Sequence, residues 1–441
     1  MVSFLWLSPL LTAVGNKCGI DAHYFAKNSS LVLLGHGIQI LRGIITGYVV
    51  ARFFQQEIYG QYQFMLTVVG MLTVFGLPGL ASSVTRAWAR GDSFSRRKLT
   101  KWHLLVCLTG SLILLGMIPF LEYYGREELW MLFLVAAVLF PLSPIATVNF
   151  GGYTVGKARF DLSLYATIAW SILSIIATLA IVAFRQSAVL MFAASTAIPS
   201  IVYLWGSRRL QPPNKNGPDN TRSILRYGWQ LTLANTPVDL VWYIDKLLIS
   251  HFFGLNQLAL FSVALLIPEQ VKLFVKQLLP VTFARQAAGK DSRERRRKLM
   301  KFVLAGTAIF AAGIALYIVL VPFLMPLLFP KYDARELTIL TSVAAATLIT
   351  FPGTLFAQYL EAQRMVWAVR FSNWSAAAVL AVSLFILVPW LGLLGAIIAR
   401  GLFRAVYLAA TWWFVLRAPI QDKPAAVPLP VTDEVPFPPV P

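Results

Sequence analysis

Twelve apolar stretches, each long enough to cross a lipid bilayer, follow one another along almost the whole chain. A helix needs about 20 residues to cross a hydrocarbon core of ~30 Å. Backbone groups in lipid have no water to bond, so apolar stretches of this length must satisfy them within helices. Hydrophobic residues make up 58% of the 441 residues and charged residues only 13%. The sequence therefore predicts an all-α, polytopic membrane protein and argues against a water-soluble enzyme.

The twelve predicted spans form two groups of six, which we number in chain order. They cover residues 29–51, 58–85, 100–120, 128–150, 160–184 and 188–206, then 226–251, 257–284, 300–322, 336–360, 367–388 and 391–416. We expect a first bundle at 29–206, a linker at 207–225 and a second bundle at 226–417. Residues 1–28 are a lead-in or the product of a misassigned start codon. The tail, 418–441, contains eight prolines and is expected to be disordered.

The two groups of spans carry matching motifs. Ala51-Arg52-Phe53-Phe54 returns as Ser250-His251-Phe252-Phe253, Arg86 as Arg285, Arg96-Arg97-Lys98-Leu99 as Arg296-Arg297-Lys298-Leu299, and Pro119-Phe120-Leu121 as Pro322-Phe323-Leu324. The offsets are 199, 199, 200 and 203 residues, far beyond any solenoid period. Two homologous six-helix bundles around a central cavity, as in many secondary transporters, are the expected architecture.

Basic residues are unevenly distributed between the two sides of the predicted bundle. Of 38 Lys and Arg residues, 27 lie in or beside the two termini and the loops after spans 2, 4, 6, 8 and 10. The loops after odd-numbered spans carry 5, and 6 lie within spans. We call the first side the basic face and the other the opposite face. The positive-inside rule places the basic face and both termini in the cytoplasm, and an even number of spans makes the repeats parallel.

Six cations lie within the predicted spans: Arg42, Lys246, Lys272, Lys276, Arg400 and Arg404. A charge facing lipid costs about 2.5–3.5 kcal/mol, so these side chains are expected to face the bundle interior. Helical spacing puts polar residues into stripes that include Gln39 and Arg42 on span 1, and Asn235, Asp239 and Trp242 on span 7. Glu269 joins Lys272 and Lys276 on span 8, and Gln358 joins Glu361 on span 10. The stripes predict a polar, positively charged central cavity.

A cationic cavity favours an anionic ligand, and phosphate groups suit arginine and lysine. The predicted binding residues are Arg42, Lys272, Lys276, Arg400 and Arg404. Other interpretations remain open for most of them. Lys276 and Arg404 could extend to the inner interface, Lys246 could snorkel outward, and Arg400 could pair with Glu361 or Asp239.

Three acidic residues within the spans, Asp239, Glu269 and Glu361, are candidates for ion coupling or for structural pairing. A carboxylate at such depth either pairs with a neighbouring cation or exchanges a proton or Na⁺. Asp245 lies off the polar stripe of span 7 and is interpreted as structural. Proline and glycine predict bends in spans 2, 4, 7, 8 and 10, at Gly76-Leu77-Pro78-Gly79, Pro141, Pro144, Pro237, Pro268, Pro280 and Pro352.

Several short motifs resemble those of the polysaccharide (O-antigen) flippases of the MOP superfamily. They include Asn28 to Ala51 with Arg52-Phe53-Phe54, Tyr59-Gly60-Gln61-Tyr62, Gly76-Leu77-Pro78-Gly79 with Arg86, Tyr227-Gly228 through Asp245-Lys246, Phe253-Gly254, Leu260-Phe261, and Phe329 to Ala334. The likeness covers residues 28–417. The likeness identifies the family well and the substrate poorly.

The resemblance implies transport of an undecaprenyl-diphosphate-linked oligosaccharide from the inner to the outer leaflet of a bacterial cytoplasmic membrane, for surface polysaccharide or lipopolysaccharide synthesis. The headgroup would enter the cavity while the prenyl tail stays in lipid near spans 1 and 8. Membrane lipids and the polysaccharide polymerase machinery are expected partners, with H⁺ or Na⁺ as the coupling ion. No cofactor or metal is expected.

Four other functions remain open on the sequence or are disfavoured by it. The related multidrug exporters bind cations, and this core has the wrong sign for that. A membrane-embedded glycosyltransferase or ligase generally needs a large aqueous loop, and the loops on the opposite face are short. A non-transporting scaffold for the polymerase machinery is a further alternative. The basic cluster from Arg293 to Lys298 is better explained by topology and anionic lipid than by nucleic acid, and no phosphate-binding Gly-rich loop is present.

Overall fold

The computed structural model describes residues 22–123, 125–210, 218–287, 293–362 and 365–417. The predicted lead-in up to residue 21 and the tail from residue 418 lie outside this part of the chain. Within it the fold is all-α, as the sequence predicts. Polar backbone groups are satisfied inside each helix, which is the arrangement that lipid requires.

Six spans make up the first half. Span 1 is Ala22–Phe53; span 2 is Gln56–Met71, the 3-10 turn Leu72–Gly76 and Pro78–Arg90; span 3 is Arg96–Gly116, followed by Ile118–Tyr123; span 4 is Trp130–Leu139 and Leu142–Gly156, preceded by the turn Glu127–Leu129; span 5 is Phe160–Phe184; span 6 is Ala188–Arg208. Span 1 begins before the predicted boundary at residue 29.

Six further spans make up the second half. Span 7 is Thr221–Phe252; span 8 is Gly254–Ala287; span 9 is Arg293–Leu328; span 10 is Ala334–Ala346, the 3-10 turn Thr347–Gly353 and Thr354–Ala362; spans 11 and 12 lie within Val366–Arg417. Gly392 separates spans 11 and 12, because its φ of 59° and ψ of −134° are not helical. The ring of Trp367, at the start of span 11, and the ring of Phe414, near the end of span 12, lie 5.4 Å apart. Spans 11 and 12 therefore form an antiparallel hairpin.

Nine helical segments of the described chain are long and apolar enough to cross a membrane. One of these segments is the hairpin of spans 11 and 12, which counts once. Spans 7 and 8 are not among the nine, and both carry polar residues along much of their length. The count by composition is thus lower than the twelve helical spans of the fold.

Three of the predicted bends are breaks in the helix. Span 2 is interrupted by a 3-10 turn that ends at Leu77, in the left-handed region with φ 48°. Spans 4 and 10 are each divided in two, at Phe140–Pro141 and at the 3-10 turn containing Pro352. In spans 7 and 8 the helices continue through Pro237, Pro268 and Pro280, so these prolines do not interrupt the helix, and a bend there stays a prediction. Membrane helices tolerate proline where neighbouring groups satisfy the freed carbonyls.

The repeat seen in the sequence is also present in hydrogen bonding. Arg96, at the start of span 3, donates from Nε to Asn149 on span 4 (3.1 Å) and from Nη1 to the Ser207 carbonyl near the end of span 6 (2.9 Å). Arg296, at the start of span 9, donates to Tyr359 on span 10 (3.0 Å) and to the Val415 carbonyl near the end of span 12 (3.3 Å). Each half therefore uses the same arginine to join its third, fourth and sixth helices at the basic face.

The two halves pack through glycines of spans 1 and 2. A Cβ on Gly60 would lie 2.1 Å from the Leu255 carbonyl oxygen of span 8, and one on Gly79 would lie 2.5 Å from the Gly228 carbonyl oxygen of span 7. On span 1, Gly47 meets Leu266 of span 8. Small residues at these positions let the helix backbones approach closely, as is common in membranes.

Candidate functional site

A buried ion network joins spans 7, 8 and 12 inside the second half. Arg400 donates from Nε to the carboxylate of Asp245. The two residues as a whole are 5% and 1% exposed. Its Nη1 donates to Glu269 Oε1 at 3.1 Å. A buried carboxylate is tolerated only when it is paired. The described partners of Arg400 are thus Asp245 and Glu269. The side chains of Asp239 and Glu361, the partners suggested by the sequence, lie outside the described part of the chain.

Arg404 extends the same network to span 10. Its Nη2 lies 3.4 Å from Glu269 Oε1, and its Nη1 donates to the Thr347 hydroxyl at the 3-10 turn of that span. Two arginines and two carboxylates are therefore in direct contact, and the formal charges of these four described residues cancel. Asp245, interpreted from the sequence as structural, lies at its most buried point. Its membrane position was the available signal, because an ionised carboxylate there requires a cation.

Trp242 covers one side of this network. Its ring lies edge-on to Phe403 at 4.8 Å, and the Arg400 guanidinium carbon lies 5.4 Å from its centroid. The half-buried Trp242 side chain therefore packs spans 7 and 12 together. Its predicted contribution to the lining of a cavity is a separate property, which stays a prediction.

Arg42 of span 1 has a different environment. It lies 11 residues before the end of its helix at Phe53, or about 17 Å along the axis, which is close to mid-depth. The guanidinium carbon lies 4.6 Å from the centre of the Trp170 ring on span 5. Nε has no hydrogen-bond partner, and no carboxylate of the described chain forms an ion pair with Arg42. Within the described residues, the charge of Arg42 is therefore not compensated by an acid.

Two phenols, those of Tyr62 on span 2 and Tyr203 on span 6, lie within electrostatic range of the same guanidinium. Gln39, one turn earlier on span 1, is half-buried beside the His36 ring. The first half thus presents a cation surrounded by an indole face and phenolic groups. Such a set can hold an anion through charge and N–H or O–H donors.

Several predicted residues lie outside the side chains that the structure describes. They are Asn235, Asp239, Lys272, Lys276, Gln358 and Glu361. Their roles stay predictions. Lys246 is half-buried near the opposite face, and its backbone N–H donates to Asp245 Oδ1 at 2.7 Å. Within the described ranges, no group of three or more His, Cys, Asp or Glu is placed to hold a metal ion.

The two halves are joined at the opposite face by cation-to-carbonyl hydrogen bonds. Arg52, at the end of span 1, donates to the Leu327 and Leu328 carbonyls at the end of span 9, at 2.7 and 3.1 Å. In return Lys331, after span 9, donates to the Phe53 carbonyl at 2.7 Å. These carbonyls lie at the ends of helices, where they have no partner within the helix. A cation there donates a hydrogen bond and also interacts favourably with the helix dipole. We call this set the first clamp.

A related contact lies on the other side of the repeat axis. Arg126, between spans 3 and 4, donates from Nη2 to the Ser250 carbonyl at the end of span 7, at 3.1 Å. Ser250 is the repeat counterpart of Ala51, and Lys331 follows the repeat counterpart of span 3. In both cases a basic residue of one half therefore bonds the end of the first helix of the other half. We call this contact the second clamp.

The geometry defines a class of protein: a multi-pass membrane protein with the fold of MOP superfamily transporters. An inward-facing multidrug resistance MATE family transporter is similar to 86% of this chain and 94% of its own, with a TM-score of 0.62 and 16% identity. The lipid II flippase MurJ, in an inward closed conformation, is similar over 90% of this chain and 89% of its own, with a TM-score of 0.67 and 12% identity. These identities show the fold alone.

A third structure, a MOP superfamily transporter from Pyrococcus furiosus described as having a binding pocket of reverse polarity, covers 89% of this chain and 95% of its own, with a TM-score of 0.60 and 15% identity. No curated protein sequence matches the chain. The model of the family described as polysaccharide biosynthesis protein matches residues 25–281, more than half of the chain. The chain belongs to that family.

Proposed function

We propose that the protein moves a polyprenyl-diphosphate-linked oligosaccharide, of the undecaprenyl diphosphate type, across the bacterial cytoplasmic membrane by alternating access. The direction is from the inner to the outer leaflet, and the product serves surface polysaccharide or lipopolysaccharide (O-antigen) biosynthesis. Family membership and the fold shared with a lipid flippase support this function. The observation that carries it is the uncompensated charge of Arg42 near mid-depth in the first half.

Arg42 is suited to the diphosphate of such a substrate. An arginine already paired with a carboxylate must release it before it binds phosphate, and Arg42 has no such partner in the described chain. Its stack on Trp170 fixes the plane of the guanidinium while leaving the N–H edges to form paired bonds with phosphate oxygens. The phenols of Tyr62 and Tyr203 add donors. The diphosphate thus replaces the acid that the site lacks.

Both clamps join the halves at the opposite face. We propose that the headgroup enters from the basic face, which we place in the cytoplasm together with both termini. Spans 1 and 8 meet at Gly43 and Gly47, in the half of span 1 nearer the opposite face. We place the prenyl tail in the lipid between spans 1 and 8, beside the parts of these spans that lie nearer the basic face. The bundles at 29–206 and 226–417 would rock about the fixed headgroup.

The remaining predicted residues take secondary roles in this proposal. Lys272 and Lys276 of span 8 supply further positive charge to the headgroup. Arg400 and Arg404 become available only when Glu269 leaves them. The Glu269 side chain is 26% exposed and the Asp245 side chain 2%, so Glu269 is the preferred site for a coupling H⁺ or Na⁺. Asp239 and Glu361 remain further candidates, and the polymerase machinery remains the proposed partner.

Export of lipid-linked oligosaccharide in cells that depend on this protein tests the proposal. Arg42→Ala removes a charge-assisted contact worth about 1.5–3 kcal/mol, so export should fall roughly ten- to a hundredfold. Lys272→Ala should also reduce it. Arg185→Ala, an exposed arginine between spans 5 and 6, is the matched control and should leave export unchanged. Full export by both Arg42→Ala and Lys272→Ala would remove the anion site.

An ion-coupled small-molecule exporter of the same superfamily is the alternative, since MATE transporters share the fold. In the described core the carboxylates Asp245 and Glu269 are paired with arginine, which weakens their capacity for a cationic drug. Drug accumulation that changes with Asp239→Asn but not with Arg42→Ala would favour this alternative over the flippase.

A further inference from the structure

A cavity of about 450 Å³ lies at the opposite face of the second half, away from both the ion network and Arg42. Three connections meet there: the turn between spans 7 and 8, the start of span 10, and the turn between spans 11 and 12. The volume is within the range of about 300–1,000 Å³ that is usual for small-ligand sites. None of the side chains that line it is basic.

Two polar side chains line the cavity, the Glu336 carboxylate and the Gln257 amide. Glu336 belongs to no ion pair of the described chain, and its neighbour Asp333 is occupied as the helix cap, accepting from the Glu336 N–H at 2.7 Å. The amide oxygen of Gln257 has no hydrogen-bond partner. An orphan acceptor beside an unneutralised carboxylate favours a ligand that brings both a positive charge and donors.

The rest of the wall is apolar and open to the surroundings. Phe253 is 38% exposed, Ile339 43% and Leu391 48%. Gly392 makes the turn possible, because it takes a positive φ of 59°, and the Phe253 ring lies beside it. The turn thus holds an aromatic ring at the edge of the cavity. Aromatic faces and carboxylates together recognise ammonium groups.

We propose that this cavity binds an ammonium group carried on an apolar body. Glu336 neutralises the charge, the Phe253 ring supplies a cation–π contact, the Gln257 amide accepts a hydrogen bond from a protonated amine, and Ile339 and Leu391 cover the apolar part. The site is separate from the Arg42 region and does not depend on the proposed transport function. Its natural occupant is either the ammonium headgroup of a phospholipid or a free amphiphilic amine.

Binding of decylammonium to the purified full chain in neutral maltoside micelles tests the site. Loss of the carboxylate charge in Glu336→Gln should weaken binding roughly tenfold, and Ile339→Trp, which narrows the cavity, should weaken it as well. Glu57→Gln is the matched control, because it removes an exposed charge at the same face of the first half. It should bind as the wild type does. The thermal stability of every variant is measured in parallel to confirm folding.

A competition experiment distinguishes the two sources of the ligand. Displacement of decylammonium by lysophosphatidylethanolamine, but not by lysophosphatidylglycerol, identifies a lipid headgroup as the occupant. Failure of both to compete identifies a free amine. Equal affinity of wild type, Glu336→Gln and Ile339→Trp for decylammonium would overturn the proposal. Equal affinity for decanol, which lacks the charge, would overturn it too.

Discussion

At the scale of single residues, the chain treats its buried arginines in two ways. Arg400 and Arg404 are in contact with Asp245 and Glu269, so their charges support the packing of spans 7, 8 and 12. Arg42 has an aromatic ring instead of an acid. In the first arrangement the arginine charges are neutralised by carboxylates of the same chain. In the second, the described chain leaves a charge that a ligand can neutralise. This difference separates structural from functional candidates among residues of one type.

Asp245→Asn should destabilise the protein strongly. The change leaves Arg400 buried with one acid in place of two, and breaking a buried pair costs about 3–5 kcal/mol. Glu269→Gln should cost less, because Glu269 is partly exposed. Denaturant unfolding of the purified protein in detergent measures both effects.

The control for this prediction is an exposed pair. Arg159 and Asp161 are 2.9 Å apart with side chains 47% and 42% exposed, so Asp161→Asn should change stability by about 0–1 kcal/mol. A loss for Asp245→Asn no larger than that for Asp161→Asn would show that the Arg400 network contributes nothing to stability.

At the scale of helices, the breaks and the close contacts are the informative features. Span 2 breaks at Leu77, and the carbonyl of Gly76 is bonded by the buried His103 ring of span 3 at 2.8 Å. The broken ends are thus satisfied by a neighbouring helix, as lipid requires. Spans 7 and 8 continue through their prolines. Proline therefore marks a possible bend in a membrane helix, and the neighbouring groups decide whether a break occurs.

Gly60→Ala should destabilise the contact between spans 2 and 8. The new Cβ would lie 2.1 Å from the backbone oxygen of Leu255, which cannot move without shifting the helix. Overpacking of this kind costs about 1–3 kcal/mol. Gly37→Ala is the control, since nothing lies within 4 Å of a Cβ there. It should be neutral or slightly stabilising, because alanine favours helix. Equal unfolding transitions for the two variants would contradict the tight contact.

At the scale of the whole molecule, the clamps join the two halves at the opposite face. Each uses a basic side chain of one half and helix-end carbonyls of the other. Such bonds form and break without burying a charge in lipid, because both partners lie at the ends of spans. They are therefore suited to a contact that must open during transport.

The double variant Arg52→Ala, Lys331→Ala should open the first clamp. Amide hydrogen exchange in residues 50–56 and 325–331 should speed up roughly tenfold or more, since each hydrogen bond from a charged group contributes about 1.5–3 kcal/mol. Mass spectrometry of the protein in nanodiscs measures it. Arg335→Ala removes an exposed charge close to the same turn and should leave exchange as it was. Unchanged exchange in the double variant would mean that the clamp does not hold the halves together.

The sequence alone determined that the protein lies in a membrane, that it is helical and that it contains an internal repeat. Apolar length and the lack of water in lipid leave few alternatives, and motifs such as Arg96 and Arg296 recur because each half closes its helices with the same bonds. It also placed the arginines inside the bundle, since exposure to lipid is too costly. These conclusions depend on local composition and spacing, which can be read directly from the sequence.

Only the tertiary structure decided which charges are neutralised. Asp245 and Arg400 are separated by 155 residues, and helical periodicity places a residue on a face without saying which helix that face meets. The same holds for the stack of Arg42 on Trp170 and for the clamps, whose partners come from distant helix ends. Pairing in space depends on how the halves pack, so it became visible only in the structure that, within the described chain, Asp245 and Glu269 pair with Arg400 and Arg404 while Arg42 pairs with no carboxylate.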